Sequence, residues 1–239
     1  MVEYDGRGFA GWQQQPGKRT VEGELKRALK ELTGHDHVVH AAGRTDAGAH
    51  ALGQVVSFDL RGGIPVRRLR AALDSRLPED VAALRAEAAP EGFHARYSAR
   101  WRRYRYRFLE RPARPALERG RCWHLGRRVD VPAMRQAAQA LVGRHDWTSF
   151  CSASEPPAGR VRELRRATVR RRAGMVELEL EADGFLRGLA RGIAGALAEV
   201  GVGRRPPGWP AELLRAKDRR QAPRTAPAAG LYLVDVLYD

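Results

Sequence analysis

Apolar residues recur along this chain with two periods, one helical and one of strands, and the two alternate from end to end. Val21, Leu25, Ala28, Leu29 and Leu32 fall on one side of a predicted helix. It opens at Thr20 as N-cap, carries Glu22 and Glu24 in the first turn, where the helix dipole favours acids, and stops at Thr33-Gly34. Residues 38–42 predict a short strand and 52–60 a second, with the run 43–48 between them as a loop. A further helix starts at Pro65, suited to a first helical position, with Val66, Leu69, Leu73 and Leu77 inward. Residues 81–89 make a weaker strand.

The second half repeats the pattern. Strands are predicted at 101–109, 161–171, 175–182 and 231–238, and helices at 132–142, 185–200 and 210–217. In 175–182, Val176, Leu178 and Leu180 alternate with Glu177, Glu179 and Glu181, as one buried and one solvated face require. Several helix-to-strand links are too short and one-sided for a doubly wound parallel sheet. The pattern predicts an α+β fold of two similar halves with largely antiparallel sheets, residues 1–97 and 98–239. No strong internal sequence repeat accompanies it.

Composition changes this picture in one respect. The chain has 239 residues, 43% hydrophobic, with a mean hydropathy of −0.50, which fits a soluble globular protein. No apolar run reaches the length of a membrane span, and Met1-Val2-Glu3-Tyr4-Asp5 does not read as a signal peptide. Cys122 and Cys151 show no C-x-x-C spacing, so a reducing cytoplasm, without a disulfide framework or zinc site, is expected. Lys and Arg total 43 against 28 Asp and Glu, a net charge of +15. A field of that sign attracts a polyanion, because neutralising phosphates releases their counterions. Nucleic acid is the first partner to consider and an acidic membrane surface the second. Only Lys18, Lys26, Lys30 and Lys217 are lysines and Asn is absent, a bias that a GC-rich genome explains without function.

Candidate chemistry is sparse. The phosphate-loop, dinucleotide, zinc-helix and serine-elbow motifs are all missing, so neither a metal nor an organic cofactor is expected. In Gly43-Arg44-Thr45-Asp46-Ala47-Gly48, two glycines flank an Arg and an Asp between strands. Asp46 there either closes a turn through its own backbone or serves as a carboxylate nucleophile kept ionised by a guanidinium, with Arg44 as candidate. In residues 101–108, Trp101, Arg103, Arg105 and Arg107 share one strand face, and Arg102, Tyr104, Tyr106 and Phe108 the other. That arrangement suits a packed sheet with a solvated face, and equally a surface where a base stacks on a ring while arginines hold phosphate. For Tyr104 both readings stand. In the 185–200 helix, the apolar arc is Phe185, Leu186, Leu189, Ile193, Leu197 and Val200, with Arg187 and Arg191 opposite. Gly188, Gly192 and Gly195 lie beside Arg191, each costing about 1 kcal/mol against Ala. Such a flank makes sense where another backbone or a ligand comes close.

Taken together, these segments resemble a known family. Tyr4-Asp5-Gly6-Arg7-Gly8-Phe9-Ala10-Gly11-Trp12-Gln13 is similar to the opening of the tRNA pseudouridine synthase A (TruA) family. Ala42-Gly43-Arg44-Thr45-Asp46-Ala47-Gly48-Ala49-His50-Ala51 resembles its catalytic loop, and Gly53-Gln54-Val55-Val56-Ser57-Phe58 the strand after it. Phe93-His94-Ala95-Arg96, Arg103-Tyr104-Arg105-Tyr106, Asp146-Trp147-Thr148-Ser149-Phe150, Ala216-Lys217-Asp218-Arg219 and Gly230-Leu231-Tyr232-Leu233 follow in the family's order.

The resemblance implies a pseudouridine synthase fold, its two α+β halves joined across a basic central cleft. It implies that Asp46 is the nucleophile and that Arg44 helps turn the target uridine out of its stack. Tyr104 would pack against the flipped base and Arg191 would pair with the Asp46 carboxylate. It implies a cytoplasmic homodimer acting on tRNA uridines at positions 38–40 of the anticodon stem-loop, with no metal and no organic cofactor. The chain departs from the pattern in places. Only three residues precede Tyr4, which predicts a misassigned start or a clipped edge strand. Arg187-Gly188 stands for two histidines, Gly192 for an Asn and Ala49 for a Val. The rival readings are an RNA chaperone using the same surface, a base-excising glycosylase, and a sister synthase acting on another RNA.

Overall fold

In the computed structural model, which describes residues 1–222 and 224–238, the first helix forms where its apolar stripe predicts. The Thr20 hydroxyl accepts the Gly23 N–H at 3.3 Å, and Gly34, in the left-handed region, returns its N–H to the Lys30 carbonyl at 2.8 Å. Val21, Leu25 and Leu29 are buried from this face, and full burial of such side chains is worth about 1.5–3 kcal/mol each.

The described residues form two units, Met1–Arg100 joined by the residues from Tyr232 onward, and Trp101–Leu231. The first runs β1 (Val2–Tyr4), α1 (Val21–Thr33), β2 (His40–Ala41), β3 (His50–Gln54), β4 (Val56–Ser57), α2 (Val66–Asp74) and β5 (Val81–Ala83), and it receives β11 (Leu231–Leu237) from the C-terminal segment. Its strand order is β5-β1-β3-β11. β1 is antiparallel to both neighbours, so the strand expected at an edge is paired on both sides. β11 lies parallel to β3, with Tyr232 opposite His50, and so sits outside the second half in which the sequence division placed it. The strand expected over 52–60 is two strands. Val55 gives its carbonyl to the Ala42 N–H at 2.9 Å, which turns β4 away from β3 to pair with β2. The strand expected over 81–89 stops at Ala83, where the Leu84 and Arg85 amides converge on the Met1 carbonyl. Pro65 is the cap of α2, one residue outside the helix.

The second unit runs β6 (Trp101–Leu109), β7 (Trp123–His124), α3 (Val131–Gln139), β8 (Gly143–Asp146), β9 (Val161–Arg172), β10 (Met175–Ala182), α4 (Leu189–Gly201) and α5 (Trp209–Ala216). Its antiparallel order is β6-β10-β9-β8, with β7 added parallel to β6. Asp130 caps α3 by accepting the Ala133 N–H at 2.9 Å. α3 packs on β9 and α4, with Met134, Ile193 and Leu197 fully buried.

α4 departs most from its sequence reading. It begins at Leu189, not Phe185, because Gly188 takes φ 78° and turns the chain just before the first helical residue. Arg187 lies in that turn. Almost every residue from Leu189 to Gly201 is buried. The small residues admit neighbouring backbone: a Cβ at Gly192 would collide with the Phe150 carbonyl, and one at Gly195 with that of Arg224.

The outer face of the second unit's sheet carries alternating charge. Glu181 is opposite Arg103 and Glu179 opposite Arg105 across β10 and β6, with Arg103–Glu181 and Arg105–Glu179 contacts of 2.8 Å. From β9, Arg165 also reaches Glu181, and Arg166 approaches Glu179 at 3.5 Å. The basic row of β6 is thus matched by acids, and Glu181 is buried, not solvated, at 2% exposure. Burial works against ionisation of both glutamates. The guanidinium bonds prevail and hold both carboxyls below their ordinary 4.5.

Carboxyls depressed by folding stabilise the protein fully above about 4.5 and lose that contribution as pH falls through their folded values. Thermal unfolding of the wild type should therefore fall more steeply below pH 4.5 than that of the Glu179→Gln, Glu181→Gln double variant. Parallel curves for the two proteins would contradict the assignment.

Candidate active site

The loop between β2 and β3 is held at its near end and middle by buried side chains of the first unit, and at its far end by main chain. Gln54, fully buried, donates its amide N–H to the Gly43 carbonyl at 2.6 Å and accepts the Gly43 N–H at 3.3 Å. One residue beyond Arg44, the Thr45 hydroxyl meets the Tyr4 phenol at 2.7 Å, and the Thr45 carbonyl accepts the Trp12 N–H at 3.1 Å. Burial drives the Tyr4 phenol up to about 12, with its bonds to Thr45 and Gln54 acting the other way. The far end closes through main chain: the Asp46 carbonyl accepts the Ala49 N–H at 3.1 Å, and the Phe9 carbonyl accepts the Gly48 N–H at 3.3 Å.

Thr45 is buried while Arg44 is exposed and Asp46 half-buried. Alternation of this kind is what an extended segment gives when its middle side chain is tied inward. The opening segment is the loop's cradle. Gly11, at φ 100°, passes so close that a Cβ would come within 2.9 Å of the Thr45 carbonyl oxygen. His50, the first residue of β3, is buried with its ring stacked on Tyr232 at 4.6 Å and 16°. Its Nδ1 accepts the Gly6 N–H at 3.1 Å and lies 3.3 Å from the Asp5 carboxylate, which Arg7 grips through two nitrogens. Tyr4, Gln54, His50 and Tyr232 stood inside the quoted motifs without a role. Their signal was the pairing of polar side chains with an otherwise apolar strand pattern.

In the second unit, Tyr104 lies on the inward face of β6 with Arg102, Tyr106 and Phe108, and is 5% exposed. Phe185 meets its ring edge-on at 4.6 Å. Arg191 projects from the first turns of α4, where its Nε donates to the Ala226 carbonyl at 2.7 Å, and its own carbonyl accepts the Ala226 N–H at 3.1 Å. This two-way bond fixes the arginine against the segment leading to β11. The next residue, Pro227, accepts the Tyr106 hydroxyl at 2.7 Å. Burial pushes the Tyr106 phenol far above its usual 10, against the pull of the Arg191 charge. The predicted residues therefore divide between the units, Arg44 and Asp46 in the first and Tyr104 and Arg191 in the second.

Two further quoted motifs meet within the second unit. Ser149 donates to the Leu213 carbonyl at 2.6 Å and accepts the Asp218 N–H at 2.9 Å, so Asp146–Phe150 holds the C-terminal end of α5. Cys122 and Cys151 are free and buried, and burial pushes both thiols up. Among the described residues, no group of three or more His, Cys, Asp or Glu side chains could hold a metal ion, and no helix is long and apolar enough to cross a membrane.

Comparison with known proteins adds to this geometry. The family described as tRNA pseudouridine synthase matches residues 1–98 and 137–239. The tRNA pseudouridine synthase A of Caulobacter vibrioides (strain NA1000 / CB15N) is 45% identical over 247 residues, covering 100% of this chain and 97% of the relative. That of Bacillus subtilis (strain 168) is 42% identical over 240 residues, with the same coverage of each chain. That of Caldicellulosiruptor bescii is 40% identical over 237 residues, covering 99% of this chain and 97% of the relative.

The suspension of the loop is open to a direct check. Gln54→Leu leaves the Gly43 N–H and carbonyl without their partner and should cost about 2–4 kcal/mol in denaturant unfolding, whereas Arg44→Ala should stay within about 0.5 kcal/mol. Equal losses would show that Gln54 does not carry the loop.

Proposed function

The chain belongs to the tRNA pseudouridine synthase family, and from that premise we propose that it isomerises uridine to pseudouridine at positions 38–40 of the tRNA anticodon stem-loop, with Asp46 as nucleophile. The protein is an isomerase, and its substrate class is tRNA. The finer reading rests on one observation above the others. Asp46 is half-exposed on a loop whose main chain is already anchored around it.

The reaction needs little beyond such a group. A uridine leaves its stack at a cost of a few kcal/mol, recovered through stacking and phosphate contacts in the pocket. Arg44, exposed and next to Thr45, is the residue that helps turn it out. Asp46 attacks either C6 of the uracil or C1′ of the ribose. The N1–C1′ bond breaks, the uracil rotates, and C5 bonds to C1′. In the C1′ route the new C5–C1′ bond displaces Asp46 from C1′, whose freed carboxylate, or Tyr104, takes the C5 proton; in the C6 route loss of the C5 proton expels Asp46 from C6 and restores the C5–C6 double bond. N1 gains a proton in either case, so the product has the mass of the substrate. A carboxylate suits both ends of this sequence, being ionised at neutral pH and a good leaving group. Tyr104 packs against the extruded base, and Arg191 pairs with the Asp46 carboxylate. The enzyme works in the cytoplasm as a homodimer without metal or organic cofactor.

Release of tritium from tRNA labelled at uracil C5 tests the assignment, since a chaperone releases none. A glycosylase would leave an abasic site, so a product of unchanged mass would exclude it. Asp46→Asn should abolish release while tRNA still binds; turnover within about tenfold of wild type would remove Asp46 from the role, given the losses usual for an essential group. Arg191→Ala should lower kcat by about 10²-fold or more with KM little changed, as expected of an interaction made with the reacting group. A rise in KM alone would make Arg191 a binding residue. Mapping pseudouridine across total RNA decides between the anticodon arm and another RNA.

A further inference from the structure

Three rings from two separate segments of the first unit form a column that ends in solvent. His40 in β2 lies 4.4 Å from His94, and His94 lies 4.4 Å from Tyr97, measured between centroids. Tyr97 is 77% exposed. The turn that carries it is tied down at its base. The Ala95 N–H reaches the Ser57 hydroxyl at 3.0 Å, and the Ala95 carbonyl accepts the Tyr238 hydroxyl at 2.8 Å. His94 Nδ1 accepts the amides of Arg96 at 3.1 Å and Tyr97 at 3.4 Å, which fixes the middle ring of the column. The guanidinium of Arg96 lies 5.7 Å from the centre of the Tyr97 ring. Residues 93–100 contain two arginines and no acid.

A single exposed aromatic is ordinary on a protein surface. A tyrosine backed by two further rings on a pinned turn is different, because its orientation is set before any partner arrives. It offers a π-face to a flat partner, and Arg96 offers charge to an anion beside it. A flat ring joined to an anion is the chemistry of a nucleotide. We propose that Tyr97 is a stacking platform for an unpaired base of the tRNA substrate, with Arg96 meeting the adjoining phosphate. The inference rests on the reading that tRNA is the substrate, and adds a contact that takes no part in bond breaking.

Binding of unmodified tRNA and steady-state pseudouridine formation, measured across salt concentration for wild type, Tyr97→Ala, Tyr97→Phe and Arg96→Ala, test it. Tyr97→Ala should raise both Kd and KM about tenfold, about 1.4 kcal/mol, with kcat at saturating tRNA within about twofold and the salt slope unchanged. Tyr97→Phe should behave as wild type. Arg96→Ala should reduce the salt slope by about one ion, since one phosphate contact is lost. A Kd for Tyr97→Ala within about twofold of wild type would overturn the platform, because stacking of this kind is worth more. So would a change in oligomeric state by light scattering without a change in Kd, which would assign the ring to contact with a second copy. A wild type that binds tRNA but forms no pseudouridine would defeat the proposed function, and the binding arm would still decide the platform.

Discussion

The side chain of Thr45 points inward, and the arrangement around Asp46 follows from that. A loop between two strands cannot bury its N–H and carbonyl groups unpaired, yet a reactive carboxylate must stay within reach of substrate. The chain meets both demands by burying one residue in the middle of the loop and bonding it to the Tyr4 phenol, so that its neighbours on either side face outward. Gln54 then holds Gly43, the Trp12 amide holds the Thr45 carbonyl, and Gly11 supplies the space. The opening segment and the strand after the loop are therefore parts of one device, though they lie about forty residues apart.

The second unit holds its own candidate residues by a related route. Arg191 stands on a helix that is apolar on nearly every side, and the Ala226 carbonyl directs its guanidinium. Small residues let the Phe150 and Arg224 carbonyls approach the helix. On the sheet, arginines of β6 and β9 are locally matched by the glutamates of β10. Local pairing leaves the net charge of +15 intact, so attraction of a polyanion at long range persists. Arginines outside the ladder are left for the proposed phosphate contacts, Arg96 beside the exposed Tyr97 ring among them.

Much of this was legible in the sequence where one physical rule dominates. α1 could be read from its stripe and its cap, and β10 from strict alternation. α4 could not be bounded, because Phe185 and Leu186 continue the helical spacing while Gly188 breaks the backbone; apolar spacing reports which residues are buried, not which dihedral angles they take. The same limit hid the break at Val55, where a carbonyl bond to Ala42 redirects the chain without any change in hydrophobic pattern. Glu181 read as solvated because alternation cannot register two arginines arriving from neighbouring strands. For Asp46 and Arg44 the loop was visible in its glycines, but its suspension depends on Tyr4 and Gln54, and no local pattern announces a bond across such separations.

The absence of metal, cofactor and nucleophile-activating motifs from the sequence has a physical counterpart in the proposed chemistry. A serine or thiol nucleophile needs a base to deprotonate it, and a metal-bound water needs ligands. A carboxylate is already charged at neutral pH, so no activating partner need be encoded. What remains to be supplied is position, and holding reacting groups in place is worth several kcal/mol of a barrier. On this argument the sequence spends its specific residues on anchoring the Asp46 loop. The most informative polar side chains around Asp46 are then the buried ones that anchor its loop, with Thr45 foremost among them.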